Sequence, residues 1–375
     1  MDKDFNESAY KNMVKSLLRD RLLLFLLSLA LLIKLFSLDG ARVEHYYTYG
    51  LYPWLSRTLR VLLGWLPFSL GDLLYISAFI YLVAKVWKFL RILAKRQLRE
   101  YLGWVLLRKF LRLVAWIYII FNLFWGLNYN RLGIAHQLAL DVKPYTLSDL
   151  RQVTGVLEQR LNACAALTDS AKRLQLNQNR QLFAQGILDY RRVKAEFPFL
   201  SYASPSIKAS IFSPVGHYFG FSGYFNPFTG EAQLNTNEPV FLKPFVLNHE
   251  IAHQLGYGKE NEASFVSYLS ARRSDNIDFR YSIYYELFFS AVYECAANGD
   301  TTIGTRLRRM HPRVLADREE HRTFRIGHSN RVQPYVTRFY DNYLRLNNQP
   351  KGMATYNQVI AWLIAYLKKN GEQEL

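Results

Sequence analysis

The chain has 375 residues, a formal net charge of +17 and two cysteines, Cys164 and Cys295. Two distant cysteines without a C-x-x-C pair exclude a disulfide framework and a thiolate zinc site. We expect both to be small core residues, although sequence alone leaves a single bridge between them open. The basic surplus is compatible with nucleic acid, a membrane surface or membrane topology. Because no nucleic-acid-binding motif is visible, we expect no nucleic-acid partner.

Three apolar stretches in the first third predict three transmembrane helices, at residues 22–38, 68–88 and 110–127. Each is close to the roughly 20 residues that cross a hydrocarbon core. Lys34 and Arg112 lie near the ends of their stretches, where long side chains can reach the interface. We therefore expect residues 1–127 to form a membrane anchor. The alternative is three buried helices of a soluble protein.

The charges between the second and third stretches predict the orientation of this anchor. This segment has Glu100 as its only acid, and its basic residues are Lys85, Lys88, Arg91, Lys95, Arg96, Arg99, Arg108, Lys109 and Arg112. Short basic loops stay in the cytoplasm. The N-terminus, with Lys11, Lys15, Arg19 and Arg21, is then also cytoplasmic, and residues 39–67 and 128–375 lie outside. No small-x-small cleavage site precedes Asp39, so the first stretch is predicted to be an uncleaved anchor.

Residues 128–375 predict a second domain of mixed α+β class that is mostly helical. Helical spacing and capping signals occur at 147–161, 179–195, 261–273, 279–297, 334–347 and 356–368. Residues 201–244 are instead rich in glycine, proline, serine and aromatic residues. They predict a small irregular sheet, with extended pieces at 210–212 and 231–235 separated by turns.

The segment NHEIAHQLGYGKENE, residues 248–262, follows that sheet and predicts a helix with two distinct faces. Pro244 suits the first turn of this helix, and Gly256 suits its end. One apolar stripe recurs every four residues and is made by Leu247, Ile251 and Leu255. A second stripe, about 200° around the helix, holds His249 and His253.

The second stripe has the H-E-x-x-H spacing of many zinc hydrolases. Histidines at i and i+4 can share one metal ion, and Glu250 lies beside them to act on a metal-activated water. The sequence therefore predicts Zn²⁺ as cofactor. The alternatives are a chance match, or two histidines that only form hydrogen bonds in a polar core.

A catalytic zinc site generally needs a third protein ligand. The pattern H-E-x-x-H-x-x-G-x-x-H would require a third histidine at position 259, which is Lys259. Two acids follow instead, Glu260 and Glu262, and either would complete a His-His-Glu site. Asn261 as a helix cap would place Glu262 in the first turn, facing the metal.

This segment resembles gluzincin metallopeptidases, in which a glutamate on the next helix completes the site. Membrane-embedded members carry E-x-E-A-D, and residues 260–264 read E-N-E-A-S. The resemblance implies that Glu260 is the ligand, with Glu262 as the alternative. Ser264 replaces the aspartate that supports a ligand histidine, so it can contribute a hydrogen bond but no charge. The spacing from His253 to Glu260 is also shorter than in those enzymes.

Most of the chain also resembles a bacterial family of multi-span membrane proteins of unknown function. The resemblance rests on the segments WLPFSLGDLLY, FNLFWGLNYNR, SYASPSIK and GFSGYFNPFTGEAQLNT and on the zinc motif itself. It implies a zincin-like domain, a zinc-peptidase activity and the bacterial inner (plasma) membrane. With the orientation given above, the catalytic domain would be periplasmic or extracellular.

These observations lead to a hypothesis of peptide-bond hydrolysis. Zinc would activate a water and Glu250 would act as the general base. A second donor should stabilise the oxyanion, and the candidates are Tyr257, Tyr224, His217 and Tyr218. The piece 231–235 could pair with the substrate as an added strand. The expected partners are the lipid bilayer and a peptide or protein; the sequence identifies neither this substrate nor the oligomeric state. The alternative is a catalytically inactive, membrane-tethered zinc-binding or interaction protein.

Overall fold

The computed structural model describes residues 19–94 and 100–375, which are mostly helical with one small sheet. The long helices are α1 Arg21–Ser37, α2 Tyr52–Leu63, α3 Leu70–Ala94, α4 Glu100–Phe124, α5 Leu147–Leu167, α6 Asn179–Glu196, α7 Lys243–Gln254, α8 Glu260–Ala271, α9 Ile277–Ala297, α10 Pro312–His328, α11 Gln333–Leu346 and α12 Val359–Asn370. A π-helical segment, Val43–Leu51, leads into α2. The strands are β1 Ile207–Ala209, β2 Gly223–Asn226 and β3 Glu231–Leu234.

Short helical segments connect these elements. The α-helical ones are Gly40–Arg42, Ile134–Gln137, Ser170–Leu174, Ser213–Gly216 and Ile303–Arg308, and the 3₁₀ turns are Gly126–Asn130, Gln175–Asn177, Pro198–Leu200, His217–Phe219, Gly352–Gln358 and Glu372–Glu374.

One or two helices of the described chain could span a membrane. Helix α3 is long and apolar enough by itself, and its apolar window is wholly exposed. A second candidate exists if α1 and residues 40–63 form one span, bent by 97°. Three membrane spans were predicted, and the structure supports one or two of them. Helix α1 has only 17 residues before this bend, and α4 carries three basic residues, Arg108, Lys109 and Arg112. Some basic residues used to predict the orientation lie outside the described residues: Lys11, Lys15, Lys95, Arg96 and Arg99.

Helices α1 and α4 run side by side in the same direction. At one end Asp20 caps α1 by accepting a hydrogen bond from the Leu23 backbone (3.0 Å), and it pairs with Arg112 of α4 at 2.6 Å. At the other end the Asn130 side chain donates to the Ser37 carbonyl over 2.9 Å. Arg112 therefore has an acidic partner where the sequence predicted only an interfacial side chain.

The sheet has the strand order β1-β3-β2, with β1 parallel and β2 antiparallel to β3. The strand predicted at 231–235 is confirmed as β3, but both of its edges are occupied. The prediction that this segment pairs with a substrate is therefore wrong, because an added strand needs a free edge. The prediction of a strand at 210–212 is also wrong. Asp72 accepts the Ile211 backbone N–H over 2.6 Å, and β1 ends at Ala209.

The largest hydrophobic core cluster lies mainly between the helices that follow residue 146. Helix α5 begins with a capping box at Thr146 and Asp149, and it packs along α9. The helices predicted at 147–161, 179–195, 261–273, 279–297, 334–347 and 356–368 all form, whereas α10 was not predicted. Cys164 and Cys295 are buried and unpaired, as expected for core residues.

Candidate functional site

Helix α7 presents the H-E-x-x-H residues on the face opposite its core contacts. Leu247 and Ile251 are buried in the main core cluster, which confirms the predicted apolar stripe. Pro244 lies in the first turn. The backbone at Gly256 has a φ of +87°, a left-handed conformation that favours glycine and ends the helix.

Glu260 meets both histidines at one point. Its Oε2 atom lies 3.1 Å from Nε2 of His249 and 3.5 Å from Nε2 of His253. Glu260 is the first residue of α8, and its backbone N–H donates to the Gln349 side chain over 3.1 Å. All three side chains are buried. Among the described residues they are the one group of histidine, cysteine and acidic side chains placed to share a metal ion.

This donor set fits zinc. Zinc binds histidine nitrogens and carboxylate oxygens at about 2.0–2.2 Å, so two donors on a tetrahedral ion lie about 3.3 Å apart. The separations of 3.1 and 3.5 Å bracket that distance. Two neutral imidazoles and one carboxylate form the His-His-Glu set used by catalytic zinc sites, which leave a fourth position for water.

The other ring nitrogen of each histidine is also engaged. Nδ1 of His253 lies 2.7 Å from the Tyr257 carbonyl, to which it donates as the N–H tautomer. Nδ1 of His249 lies 3.3 Å from the Ser264 hydroxyl. Such contacts fix the ring and direct Nε2 toward a metal. Ser264 thus lies where the resemblance to E-x-E-A-D placed its hydrogen bond.

Sequence reasoning missed Tyr340 of α11. Its hydroxyl donates to Oε1 of Glu260 over 2.7 Å, the oxygen that does not face the histidines. Its ring stacks on Tyr343, with 5.8 Å between centroids and 17° between planes. Tyr340 lies 80 residues after Glu260 in the chain. No local pattern in the sequence connects the two residues, so only tertiary structure could reveal the contact.

The pKa values of the two histidines shift in opposite directions. Burial lowers the pKa of His249. Burial also opposes the charged form of His253, but the Glu260 and Glu250 carboxylates and the Tyr257 carbonyl together outweigh burial and raise the pKa of His253 to about 9. The pKa of Glu260 lies well below its ordinary value, because the histidines outweigh the effect of burial. The anionic Glu260 therefore pairs with a positive charge at this point, and a bound zinc ion would supply that charge with both imidazoles neutral.

Glu250 of α7 is buried and faces strand β2. Burial raises its pKa to about 8. Its Oε2 atom has no hydrogen-bond partner within the described chain. A Cβ atom at Gly223 would lie 2.9 Å from Oε1 of Glu250 and 2.8 Å from the Val246 side chain. Glycine at 223 therefore lets the edge strand β2 approach the carboxylate.

The alternative ligand Glu262 faces away from this cluster. Its Oε1 atom lies 3.8 Å from the Lys259 ammonium, and its carboxylate contacts Gly133. Lys259, rather than Asn261, is the cap residue of α8, so the predicted Asn261 cap is wrong. Because α8 begins two residues earlier than a cap at Asn261 would require, Glu260 occupies the first helical position and reaches the histidines.

The four predicted oxyanion donors make other contacts. The Tyr257 hydroxyl donates to the Gln137 side chain over 2.8 Å, and the Tyr224 hydroxyl donates to Asp72. His217 lies 3.6 Å from the Glu238 carboxylate. Tyr218 is exposed and its ring contacts His328. Of these residues, Tyr257 contacts the His-His-Glu cluster, through its carbonyl.

Residues before position 128 also enclose the site, which sequence reasoning did not predict. The Tyr52 hydroxyl donates to the His253 carbonyl over 3.3 Å, and the Ser56 hydroxyl donates to the Gln254 carbonyl over 2.9 Å. The Ser56 bond satisfies a carbonyl at the end of α7, where the last carbonyls lack partners in the next helical turn. The Trp125 ring meets His253 edge-on, at 5.8 Å between centroids.

The fold and site define a mostly helical protein with a buried His-His-Glu cluster beside the edge of a small sheet. The chain belongs to the family described as "Protein of unknown function (DUF3810)", whose model matches residues 47–364. This match includes every residue of the cluster and crosses the domain boundary predicted at 127/128. No curated protein and no solved structure matches the chain.

Proposed function

We propose that this chain is a membrane-anchored zinc metallopeptidase that hydrolyses peptide bonds. The observation that carries the proposal is the convergence of His249 and His253 Nε2 on Glu260 Oε2, at 3.1 and 3.5 Å, with Glu250 buried beside them. His249, His253 and Glu260 would hold the zinc. When bound, zinc supplies Lewis acidity that polarises a carbonyl and activates water.

Glu250 then acts as the general base. Its unpartnered Oε2 atom takes a proton from the attacking water while the water oxygen bonds to the peptide carbonyl carbon. Glu250 next gives that proton to the amide nitrogen as the C–N bond breaks. A carboxylate whose pKa burial raises to about 8 is suited to accept and return a proton near neutral pH.

Strand β2 is our proposed docking edge for an extended substrate. It pairs with β3 on one side, and on its other side it has no strand partner in the described chain. Gly223 brings this strand against Glu250. A substrate added there gains main-chain hydrogen bonds, and its scissile bond would lie near the base.

We further propose that α1, α3 and α4 anchor the chain in a bacterial plasma membrane, with residues after Leu127 outside the cytoplasm. The wholly exposed apolar window of α3 supports this, because water-exposed apolar surface of that size is unfavourable. The far end of α3 carries Lys85, Lys88 and Arg91. Basic residues at this end favour its placement in the cytoplasm.

Replacement of Glu250 by glutamine tests the proposed function. The full chain is purified with zinc, and cleavage of a library of quenched fluorescent peptides is measured. We expect Glu250→Gln to keep its zinc and to lose activity by roughly 10²–10⁴-fold, the usual contribution of a general base. Glu262→Gln is the matched control and should remain active. Equal activity of Glu250→Gln and the unsubstituted chain would contradict the mechanism. Zinc binding without any cleavage by the unsubstituted chain would favour an inactive zinc-binding protein.

A further inference from the structure

Helix α11 carries an exposed apolar stripe that the candidate site does not use. Tyr335, Phe339 and Leu346 are 76%, 75% and 85% exposed. At 100° per residue they lie within about 40° of one another around the helix. Soluble proteins rarely leave several large apolar side chains together in water, and such a patch marks a contact surface.

The flank of this stripe is basic. Arg331 precedes the helix and Arg338 lies within it, and both are exposed. Arg345 lies on the same flank and pairs with Asp341 of its own helix. An apolar stripe beside arginines is typical of helices that lie in the headgroup region of a membrane. The arginines complement anionic lipid headgroups.

The inner face of α11 joins the site to the end of an apolar helix. Tyr340 donates to Glu260, and the Tyr343 ring meets Phe121 of α4 at 6.3 Å between centroids. The Tyr343 hydroxyl also lies 3.0 Å from that of Tyr129. Helix α11, which carries the stripe, therefore contacts the end of α4, one of the helices of the proposed anchor.

The start of α3 is held by hydrogen bonds to the small sheet beside the site. The Glu231 carboxylate of β3 accepts hydrogen bonds from the Leu70 and Gly71 backbone over 3.0 and 2.7 Å. Trp65, just before α3, is 75% exposed, and tryptophan is enriched at membrane interfaces. The candidate span thus begins at the sheet that borders the site.

We propose that the exposed face of α11 lies on the lipid bilayer, so that the candidate zinc site is held at the membrane surface. Tyr335, Phe339 and Leu346 enter the headgroup region, and Arg331 and Arg338 contact anionic headgroups. The inference rests on the proposed membrane anchoring but does not depend on hydrolysis.

Lipid quenching tests this contact on the full chain in nanodiscs of phosphatidylethanolamine and phosphatidylglycerol. A Phe339→Cys variant carries an environment-sensitive NBD label, and part of the lipid is replaced by lipid with brominated acyl chains. Tyr293→Cys on α9 is the matched control, because Tyr293 is an aromatic residue that is 63% exposed. Labelling of the unsubstituted chain gives the background from the two buried cysteines, Cys164 and Cys295. Tyr335→Cys gives a second probe of the stripe.

We expect brominated lipid to quench labels at 339 and 335 at least twofold more than the label at 293. Equal quenching at all three positions, or none at 339 and 335, would overturn the inference. A label at 339 that responds to the number of chains per disc but not to brominated lipid would show that a second copy covers the stripe. A chain that stays outside the nanodiscs would overturn the anchoring itself. Because Glu250→Gln chains can be used throughout, none of these outcomes depends on catalysis.

Discussion

Glu260 uses its two carboxylate oxygens for different contacts. Oε2 faces both histidines, whereas Oε1 accepts the Tyr340 hydroxyl. If zinc occupies the position between the three ligands, Tyr340 holds the carboxylate in its binding orientation. Tyr340 is thus our proposed positioning residue for the ligand Glu260, and Glu250 remains the proposed base.

Removal of the Tyr340 hydroxyl should weaken zinc binding. We expect Tyr340→Phe to raise the dissociation constant for zinc by about 10–100-fold, the usual effect of losing a partner of a metal ligand. Competition with a chromogenic chelator measures this constant. Tyr335→Phe is the control, because it removes an exposed hydroxyl from the same helix. An unchanged constant in Tyr340→Phe would show that the hydroxyl does not support the ligand.

Asp189 makes the stability of the fold depend on pH. Burial raises the pKa of this carboxyl to about 7, although Ser274 and Gln185 donate to it over 2.7 and 3.0 Å. The folded state therefore holds a proton that the unfolded state loses near 3.8. The stability that this proton contributes is fully present below pH 3.8. It is lost as the pH rises from 3.8 to about 7, the pKa in the folded state.

Asp189→Asn should remove this part of the pH dependence. We expect the variant to melt at least roughly 2 °C above the unsubstituted chain at pH 8 and to show a smaller advantage at pH 5. Melting in detergent is followed by tryptophan fluorescence. Asp141→Asn, at an exposed aspartate, is the control. A variant whose melting temperature differs from that of the unsubstituted chain by the same amount at both pH values would contradict the assignment.

At the scale of elements, a buried ion pair ties the π-helical segment to the end of α7. Arg131 binds Glu44 through two hydrogen bonds of 3.2 and 3.3 Å, and it donates to the Gly256 carbonyl over 3.1 Å. Its guanidinium also lies 4.4 Å from the centre of the Tyr257 ring. One arginine thus connects the segment before α2 with the turn that follows α7, the helix of the two histidines.

Loss of Arg131 alone should be costly. Arg131→Met leaves the Glu44 charge buried without its partner, so we expect a loss of roughly 3–5 kcal/mol in the free energy of unfolding. Glu44→Gln combined with Arg131→Met should cost less than Arg131→Met alone, because no buried charge is left. Denaturant titration of the full chain in detergent measures Arg131→Met, Glu44→Gln alone and the double variant. If the double variant cost as much as the sum of the two single variants, the pair would not be coupled.

The sequence predicted elements whose signals are local. The stripe of Leu247 and Ile251, the stop at Gly256 and the two histidines all follow from helical spacing. Contacts between distant segments could not be predicted, because no local sequence pattern indicates which residues Tyr340 and Arg131 contact. Helix α10 was missed in a strongly polar segment. The residues alone could not decide between Glu260 and Glu262 as the ligand, since the choice depends on a two-residue difference in the start of α8.

At the scale of the whole molecule, the site is shared between the two regions that the sequence separated. Tyr52 and Trp125 lie before position 128, and they contact His253. The start of α3 is bound by Glu231 of the sheet. The start of α2 and the residue after α4 therefore form one wall of the candidate site, and the start of α3 is held by the adjacent sheet.

The zinc content of the purified full chain tests the central claim most directly. Metal is measured by mass spectrometry after dialysis, for the unsubstituted chain and for His249→Ala, Glu260→Gln and Glu262→Gln. We expect about one zinc per chain in the unsubstituted protein and in Glu262→Gln, and strong loss in His249→Ala and Glu260→Gln, because only the latter two lack a ligand. An unsubstituted, folded chain without zinc, or full zinc retention by His249→Ala, would contradict the account.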